Sequence, residues 1–136
     1  MSERTTIYIA GPMTGVEDLN YPLFNEVAGK LRAEGYNVFN PAELDGGPQD
    51  STGDGSLLAE FMVRDLPYVI AADVIALLPN WRESRGANLE LLTARICGKE
   101  VWEALPNDDE TAVFFYASEV MPDLFKVTNH IEETNA

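Results

Sequence analysis

The residues best suited to chemistry in this 136-residue sequence lie close together, between Pro79 and Glu90. Ser84, Gly86 and Glu90 follow the pattern Ser-x-Gly-x-x-x-Glu, shortly after an apolar run from Asp73 to Leu78. Serine is a favoured helix N-cap, and glycine lets a ligand approach the backbone closely. A helix N-terminus after a strand attracts anions, because its free N–H groups and the helix dipole point outward. We therefore predict an anion site at Ser84, with the Glu90 carboxylate nearly two turns into the helix.

Glu90 falls on a stripe of small residues, which also contains Gly86, Ala87, Ala94 and Cys97 at helical spacing. Small residues let a helix pack closely on a sheet, so a carboxylate among them must be desolvated, paired or directed into a cavity. The alternative is a glutamate at the edge of the stripe that reaches water. Because the Ser-x-Gly pattern precedes it, we favour a site, and we expect Cys97 to be a buried structural thiol.

The charge of the chain restricts its partners. Nine basic and 23 acidic residues give a formal net charge of −14, which argues against binding to a nucleic-acid polymer. Arg82 and Arg85 nevertheless flank Ser84, and they either support the anion site or are solvated surface side chains. One cysteine and one histidine argue against a metal site and against an internal disulfide.

The compartment is indicated by what the sequence lacks. No apolar run approaches the roughly 20 residues that a membrane helix needs. The N-terminus carries no signal-peptide pattern, and a lone cysteine suits a reducing environment. We expect a cytoplasmic protein that uses no cofactor and binds no membrane.

The elements that position these residues alternate between strands and helices. We predict strands at 5–10, 36–40, 73–78 and 99–103, and helices at 21–33, 56–70 and 84–97. Ser56 is the expected N-cap of the second helix, and Pro67 should kink or divide that helix. Such alternation implies a parallel sheet with helices on both faces. The predicted fold class is therefore α/β, a Rossmann-like or flavodoxin-like three-layer sandwich with a central parallel sheet of four to five strands.

Three loops leave the carboxyl ends of the predicted strands, where open parallel sheets bind ligands. The first is Gly11-Pro12-Met13-Thr14-Gly15, a glycine-bounded loop that can present backbone N–H groups. The second spans residues 41–55 and is typical of a lid, a binding loop or a disordered segment. The third spans residues 79–86. Their convergence on one edge of the sheet predicts a single site.

The C-terminal part of the chain is less regular. We divide the chain into an α/β domain over residues 1–105 and an acidic extension over residues 106–136, which packs on the same domain or on a partner subunit. Residues 112–117 favour a fifth strand and residues 120–125 a short helix. His130 lies in this acidic part and is expected to be solvated.

Several segments, taken in order, resemble the nucleoside 2-deoxyribosyltransferase-like superfamily, above all its small bacterial and phage members of unassigned function. The resemblance covers residues 5–103 and rests on Ile7–Pro12, Gly35–Pro41, Arg64–Asp65, Asp73–Ile75 and Ser84-x-Gly86-x-x-x-Glu90. It implies that Glu90 is a nucleophile that attacks the anomeric carbon of a nucleoside or nucleotide and expels the base. It also implies that Tyr8 orients this carboxylate, that Asp65 protonates the leaving base, and that Asp73 has a structural role.

The residue at position 84 indicates the substrate. Transferases of the superfamily usually carry an aspartate there, whereas its nucleoside-monophosphate glycosidases carry a serine, which can donate to a phosphate. The resemblance therefore implies a (deoxy)nucleoside 5′-monophosphate. The first loop lacks the arginine and glycine cluster of those hydrolases, and the histidine after their second strand is absent. The substrate-binding residues that we predict are Gly11, Pro12, Met13, Thr14, Gly15, Asn40, Trp81, Ser84, Arg85 and Gly86.

The chemistry of glycosidic cleavage agrees with these residues. One carboxylate stabilises or traps an oxocarbenium-like state while an acid assists departure of the leaving group. Glu90 and Asp65 could fill these roles, but Asp65 could equally form an ion pair with Arg64 or be a surface charge.

Four functions stay open: hydrolysis of a monophosphate, transfer of deoxyribose between bases, non-catalytic nucleotide binding, and a structural role. A second apolar face on the third helix, formed by Leu89, Leu92 and Ile96, favours a homodimer or larger homo-oligomer.

Overall fold

Five strands form one sheet in a computed structural model that describes residues 4–44, 58–105 and 113–123. The first four strands are parallel, and the fifth runs antiparallel to the fourth. The strands are β1 (Thr6–Ala10), β2 (Asn37–Phe39), β3 (Val74–Leu77), β4 (Glu100–Ala104) and β5 (Phe115–Ala117). In space the order is β2-β1-β3-β4-β5. The strand order reverses between β1 and β3, the place where such folds open a ligand crevice.

Three α-helices connect the parallel strands: α1 (Tyr21–Ala33), α2 (Leu58–Ala71) and α3 (Arg85–Ile96). Short 3-10 turns lie at Glu17–Asn20, Pro41–Glu43 and Trp81–Glu83. Pro67 lies inside α2 but does not divide it. Proline removes the hydrogen bond to the carbonyl four residues earlier, which here belongs to Val63. Val63 is 79% exposed, so water can satisfy that carbonyl and the helix continues.

Helices cover both faces of the sheet, because successive strand side chains point to opposite sides. Ile7 and Ile9 of β1 pack with α1 on one face, whereas Tyr8 and Ala10 pack with the cluster of α2 and α3 on the other. Asp73 joins the starts of β1 and β3, since its Oδ2 accepts the Thr6 N–H at 2.9 Å. The predicted three-layer α/β architecture is confirmed.

Cys97 is exposed, so the prediction of a buried structural thiol is wrong. The helix α3 stops one residue earlier, and the buried stripe ends at Ala94. Gly98 has a φ of +73° and its N–H donates to the Arg95 carbonyl, while the Lys99 N–H donates to that of Ala94. This Schellman arrangement ends the helix and leaves Cys97 as its C-cap.

The C-terminal predictions are partly corrected. The fifth strand exists but begins only at Phe115. It is antiparallel because the stretch after Ala104 is too short for the dozen or so residues that a parallel crossover needs. Residues 120–123 form no helix. The loop predicted over residues 41–55 begins with the turn at Pro41–Glu43, while its residues 45–55, the Ser56 cap and His130 lie outside the described residues.

Candidate active site

A cavity of about 1090 Å³ opens at the carboxyl ends of the parallel strands. Its wall combines the loop after β1, the turn after β3, the first half of α3 and one side of α2. The volume is at the upper end of the roughly 300–1,000 Å³ that small-molecule sites occupy. All predicted site residues except Gly15 and Asn40 line it, namely Tyr8, Gly11, Pro12, Met13, Thr14, Asp65, Trp81, Ser84, Arg85, Gly86 and Glu90.

Asn40 and Gly15 are not part of the cavity wall. Asn40 is buried, and its side chain accepts the Ala42 N–H at 3.1 Å and donates to Asn25 Oδ1 at 2.9 Å. These contacts cap the turn at Pro41–Glu43, so the amide is engaged within the fold. Gly15 adopts a φ of +81°, a conformation that favours glycine in a turn. Both residues are therefore better explained by the backbone than by a ligand.

Tyr8 and Glu90 meet inside the protein, on the α2–α3 side of the sheet. The Tyr8 hydroxyl donates a hydrogen bond to Glu90 Oε2, and the two residues are 0% and 5% exposed. Burial raises the pKa of Glu90 to about 8; the Tyr8 hydrogen bond opposes this rise, the charge of Asp65 adds to it, and that of Arg64 opposes it. Burial and the charges of Glu90 and Asp65 raise the pKa of Tyr8 well above its ordinary value. At pH 7 the free protein therefore holds mostly neutral Glu90 beside a Tyr8 hydroxyl that keeps its proton.

Asp65 lies on α2 and is 4% exposed. Arg64 holds it through two hydrogen bonds, from Nε to Oδ1 at 2.6 Å and from a terminal nitrogen to Oδ2 at 3.2 Å. The same guanidinium lies 5.3 Å from the centre of the Phe61 ring. The ion pair considered from the sequence is thus present, but it lies at the cavity and not on the surface. Both carboxylate oxygens of Asp65 therefore accept hydrogen bonds from the Arg64 guanidinium.

The N-terminus of α3 forms a second polar region of the wall. Ser84 Oγ accepts the Ala87 N–H at 3.0 Å and so caps the helix as predicted, while its own O–H can still donate. Arg85 Nε is buried and has no hydrogen-bond partner within the described ranges. Arg82 stacks on the Trp81 ring, 4.5 Å from its centre. A hydroxyl, a helix N-terminus and an unpartnered guanidinium nitrogen together suit an anionic group.

Sequence reasoning missed two polar residues behind this region. Asn88 is 0% exposed, and its amide donates to the carbonyls of Arg82 at 3.1 Å and Ser84 at 2.8 Å. Glu103 lines the cavity and accepts the Trp81 indole N–H at 3.0 Å. One signal pointed to Asn88, since asparagine is a weak helix former and its place inside a helix calls for a reason.

No group of three or more His, Cys, Asp or Glu side chains within the described ranges is placed to hold a metal ion. In the same part of the chain, no helix combines the length and the apolar character needed to cross a membrane.

Comparison with known proteins identifies one family. A family model described as "Domain of unknown function (DUF4406)" matches residues 5–103, which include β1 to β3, all of β4 except its last residue, and every residue of the predicted site. Among curated proteins, nothing matches the chain. The matched region ends before β5 and the segment that follows it. The chain belongs to the DUF4406 family, which is defined as a domain of unknown function.

Proposed function

We propose that this protein hydrolyses the N-glycosidic bond of a (deoxy)nucleoside 5′-monophosphate, with Glu90 as the nucleophile. The observation that carries the proposal is the buried Tyr8–Glu90 pair in the wall of a cavity that also contains the N-terminus of α3. The resemblance of residues 5–103 to nucleoside deoxyribosyltransferase-like proteins supports the same chemistry. Ser84 and Arg85 then bind the phosphate, and the apolar part of the wall, with Phe61 and Met62, receives the base.

The proposed reaction has two steps. The ionised carboxylate of Glu90 forms an ester bond to the anomeric carbon as the bond from that carbon to the base nitrogen breaks, and the base leaves with a proton. Water then attacks the anomeric carbon and gives a proton to the Asp65 carboxylate, which releases the sugar phosphate and restores the Glu90 carboxylate. Glu90 must lose its proton before the first step, and Tyr8 orients it. Asp65 is the proposed proton donor to the leaving base. The proton that leaves Glu90 is one that Asp65 can take up.

A chromatographic screen for free base tests this proposal. Wild type, Glu90→Gln and Glu90→Ala are each incubated with a panel of nucleoside monophosphates and free nucleosides. Glu26→Gln, a change at an exposed glutamate of α1, is the matched control. The expected result is base release from monophosphates by wild type and the control only. Release by Glu90→Ala at the wild-type rate would refute a nucleophilic Glu90.

Transfer of deoxyribose to a second base is the closest alternative. It requires the glycosyl-enzyme to be intercepted by a base instead of water. Adding a second, free base to the reaction separates the two functions, because a transferase would convert that base into a new nucleoside or nucleotide. Base release from free nucleosides alone would count against the phosphate contact at Ser84 and favour transfer.

Non-catalytic nucleotide binding has one observation in its favour. A neutral Glu90 at pH 7 is a poor nucleophile, yet it does not repel an anion. Non-catalytic binding would be favoured if no base is released while a monophosphate still raises the melting temperature of both wild type and Glu90→Gln. A purely structural role would leave Ser84, Asp65 and Glu90 all replaceable without effect on any ligand.

The proposal includes a homo-oligomer in the cytoplasm. The location rests on the lone cysteine. Val63 and Ile70, two turns apart on α2, are 79% and 51% exposed, and Ile96 at the end of α3 is 77% exposed, whereas Leu89 and Leu92 are half-buried. Light scattering coupled to size exclusion tests this assembly. Wild type is expected as a dimer or larger, and Ile96→Lys as a smaller species, whereas a monomeric wild type would refute it.

A further inference from the structure

We infer that the C-terminal segment, residues 113–123, positions the turn at 81–84 that carries the anion-binding groups, and that Asn88 and Glu103 are the two connections. This inference rests on the proposed function in one respect, since it takes the cavity to be a ligand site. The segment lies beyond residues 5–103 that the family model matches. It therefore adds a supporting element to a site whose proposed catalytic and phosphate-binding residues all come from the matched region.

Asn88 is the first connection. Its Nδ2 holds the carbonyls of Arg82 and Ser84 from behind, and its Oδ1 accepts the Asp123 N–H at 2.7 Å. A side-chain amide offers two donors and one acceptor oxygen, and here both donors and the oxygen are used. The amide therefore ties the backbone of the turn to the end of the C-terminal segment, inside the protein, where each bond is shielded from competing water.

Glu103 is the second connection. One carboxylate oxygen accepts the Trp81 indole N–H, and the other accepts the Tyr116 hydroxyl at 2.8 Å and the Ser118 hydroxyl at 3.1 Å. Burial alone would raise the pKa of Glu103, but these hydrogen bonds and the charge of Arg82 lower it below its ordinary value. An ionised Glu103 thus bridges Trp81, on the cavity wall, to β5 and the residue after it.

Arg95 fastens the segment to α3 at a third place, two turns further along the helix. Its guanidinium donates to the carbonyls of Ser118 at 3.0 Å and Val120 at 2.7 Å. The segment is therefore attached both to the body of α3 and to the turn before that helix. Loss of the connections at Asn88 or Glu103 should loosen the turn while the contacts of Arg95 keep the segment in place.

The test uses two kinds of variant in the full-length chain. Tyr116→Phe with Ser118→Ala removes two of the donors to Glu103 without touching the cavity wall. Asn88→Asp keeps the size of the side chain but faces two carbonyls with a carboxylate. The control is Tyr36→Phe with Thr93→Ala, which alters a half-buried tyrosine and a hydroxyl that donates to the Leu89 carbonyl within α3.

A ligand-free measurement comes first. In a Trp102→Phe background, Trp81 is the only tryptophan of the chain, and acrylamide quenching reports its access to solvent. Trp81 is 3% exposed, so weak quenching is expected in the background protein and in the control. Severalfold stronger quenching is expected in Asn88→Asp and in the Tyr116→Phe, Ser118→Ala variant. Equal quenching in all four proteins would overturn the inference, whether or not the protein has any enzymatic activity.

Kinetics of base release give the second measurement. The turn carries binding groups and not the nucleophile, so KM for the monophosphate should rise by about three- to tenfold, as expected for one or two lost hydrogen bonds, with kcat nearly unchanged. A fall of kcat in proportion to lost folded protein, with KM unchanged, would mark these residues as merely structural and overturn the inference. If wild type releases no base, the proposed function fails, and the quenching result still decides the inference.

Discussion

The hydroxyl of Tyr8 donates to the carboxyl group of Glu90, although the two residues are 82 positions apart in the chain. Tyr8 lies on β1, which has a parallel strand on each side, and Glu90 faces it from the second turn of α3. At this buried position a neutral carboxyl group costs little free energy, whereas an ionised carboxylate costs much more. The pair therefore combines a proton-holding group and a fixed donor at the wall of a cavity large enough for a nucleotide.

The protonation state of Glu90 sets the net charge of this cavity. Arg64 neutralises Asp65, and Arg82 and Arg85 balance Glu83 and Glu103. Below about pH 8 the described part of the wall is thus close to neutral, although the chain carries a net charge of −14. An anionic substrate should bind better with Glu90 neutral, whereas the proposed chemistry needs Glu90 ionised.

The first prediction concerns stability against pH. The folded-state pKa of Glu90 is about 8, against 4.5 for the ordinary group. As pH rises, the unfolded chain therefore releases the Glu90 proton at lower pH than the folded protein does. The stability that the neutral Glu90 contributes is complete below about pH 4.5 and is lost as pH rises toward 8. The contribution falls by about 1.4 kcal/mol per pH unit and by up to roughly 5 kcal/mol in all.

Urea unfolding of wild type and Glu90→Gln at pH 5, 7 and 9 measures this effect. Glutamine cannot ionise, so the variant should match wild type at pH 5 and exceed it increasingly at pH 7 and 9. Glu26→Gln should follow wild type throughout. Parallel pH profiles for wild type and Glu90→Gln would show that Glu90 is not held neutral by the fold.

The second prediction concerns the pH dependence of the proposed reaction. If the ionised form of Glu90 attacks, kcat/KM should rise with pH, reach half of its maximum near pH 8 and level off above that pH. The hydrogen bond from Tyr8 lowers the pKa of Glu90, so Tyr8→Phe should move this limb to higher pH as well as slow the reaction at pH 7. Tyr36→Phe serves as the control. A kcat/KM that does not change between pH 6 and 8 would argue against Glu90 as the group that must lose a proton.

Local patterns in the sequence were sufficient for the main elements. Alternating helix and strand signals predict β1 to β4 and the three helices, and Ser84 is the N-cap that the pattern indicated. The convergence of the loops after β1 and β3 also follows from strand direction alone. These features depend on residues close together in the chain, which explains why they can be read without the structure.

The features that escaped prediction depend on contacts between distant residues or on a single turn. Asn88 owes its importance to Asp123, 35 residues later, and Glu103 to Trp81 and Tyr116. The exposure of Cys97 depends on where α3 ends. Gly98 indicates that end, because glycine commonly follows the last residue of a helix, but the prediction followed the stripe of small residues instead. A periodic pattern indicates which face of a helix is buried, but not the last residue of that face.

A third prediction compares two glycines of the cavity wall. A Cβ at Gly11 would lie 2.8 Å from Leu78 Cβ, an atom that cannot move without its backbone. A Cβ at Gly86 would lie 3.4 Å from Met62 Cε and 3.5 Å from Leu58 Cδ1, which are the mobile ends of flexible side chains. Gly11→Ala should therefore cost about 1–3 kcal/mol of stability, as overpacking does, whereas Gly86→Ala should fold as stably as wild type.

Gly86→Ala should keep the stability of wild type but lose part of its ligand binding. Gly86→Ala places a methyl group at the start of α3, so a monophosphate should raise its melting temperature less than it raises that of wild type. Thermal unfolding with and without ligand measures both effects. A Gly86→Ala protein that is strongly destabilised, or that binds the monophosphate as wild type does, would contradict close approach of the ligand at this position.

The last prediction concerns the Arg64–Asp65 pair. The side chains are 11% and 6% exposed, so removing either partner leaves a poorly solvated charge. Arg64→Met should destabilise the protein by about 3–5 kcal/mol, because the Asp65 carboxylate then lacks its counter-charge. Arg64→Met with Asp65→Asn should recover much of that loss, since no buried charge remains, and a double-mutant cycle from urea unfolding gives the coupling energy.

The exposed Arg32–Glu43 pair, with side chains 41% and 47% exposed, is the matched control and should show a coupling of about 1 kcal/mol or less. Equal coupling energies for the two pairs would mean that Asp65 is as well solvated as a surface carboxylate, which would also remove it from the proposed catalytic pair.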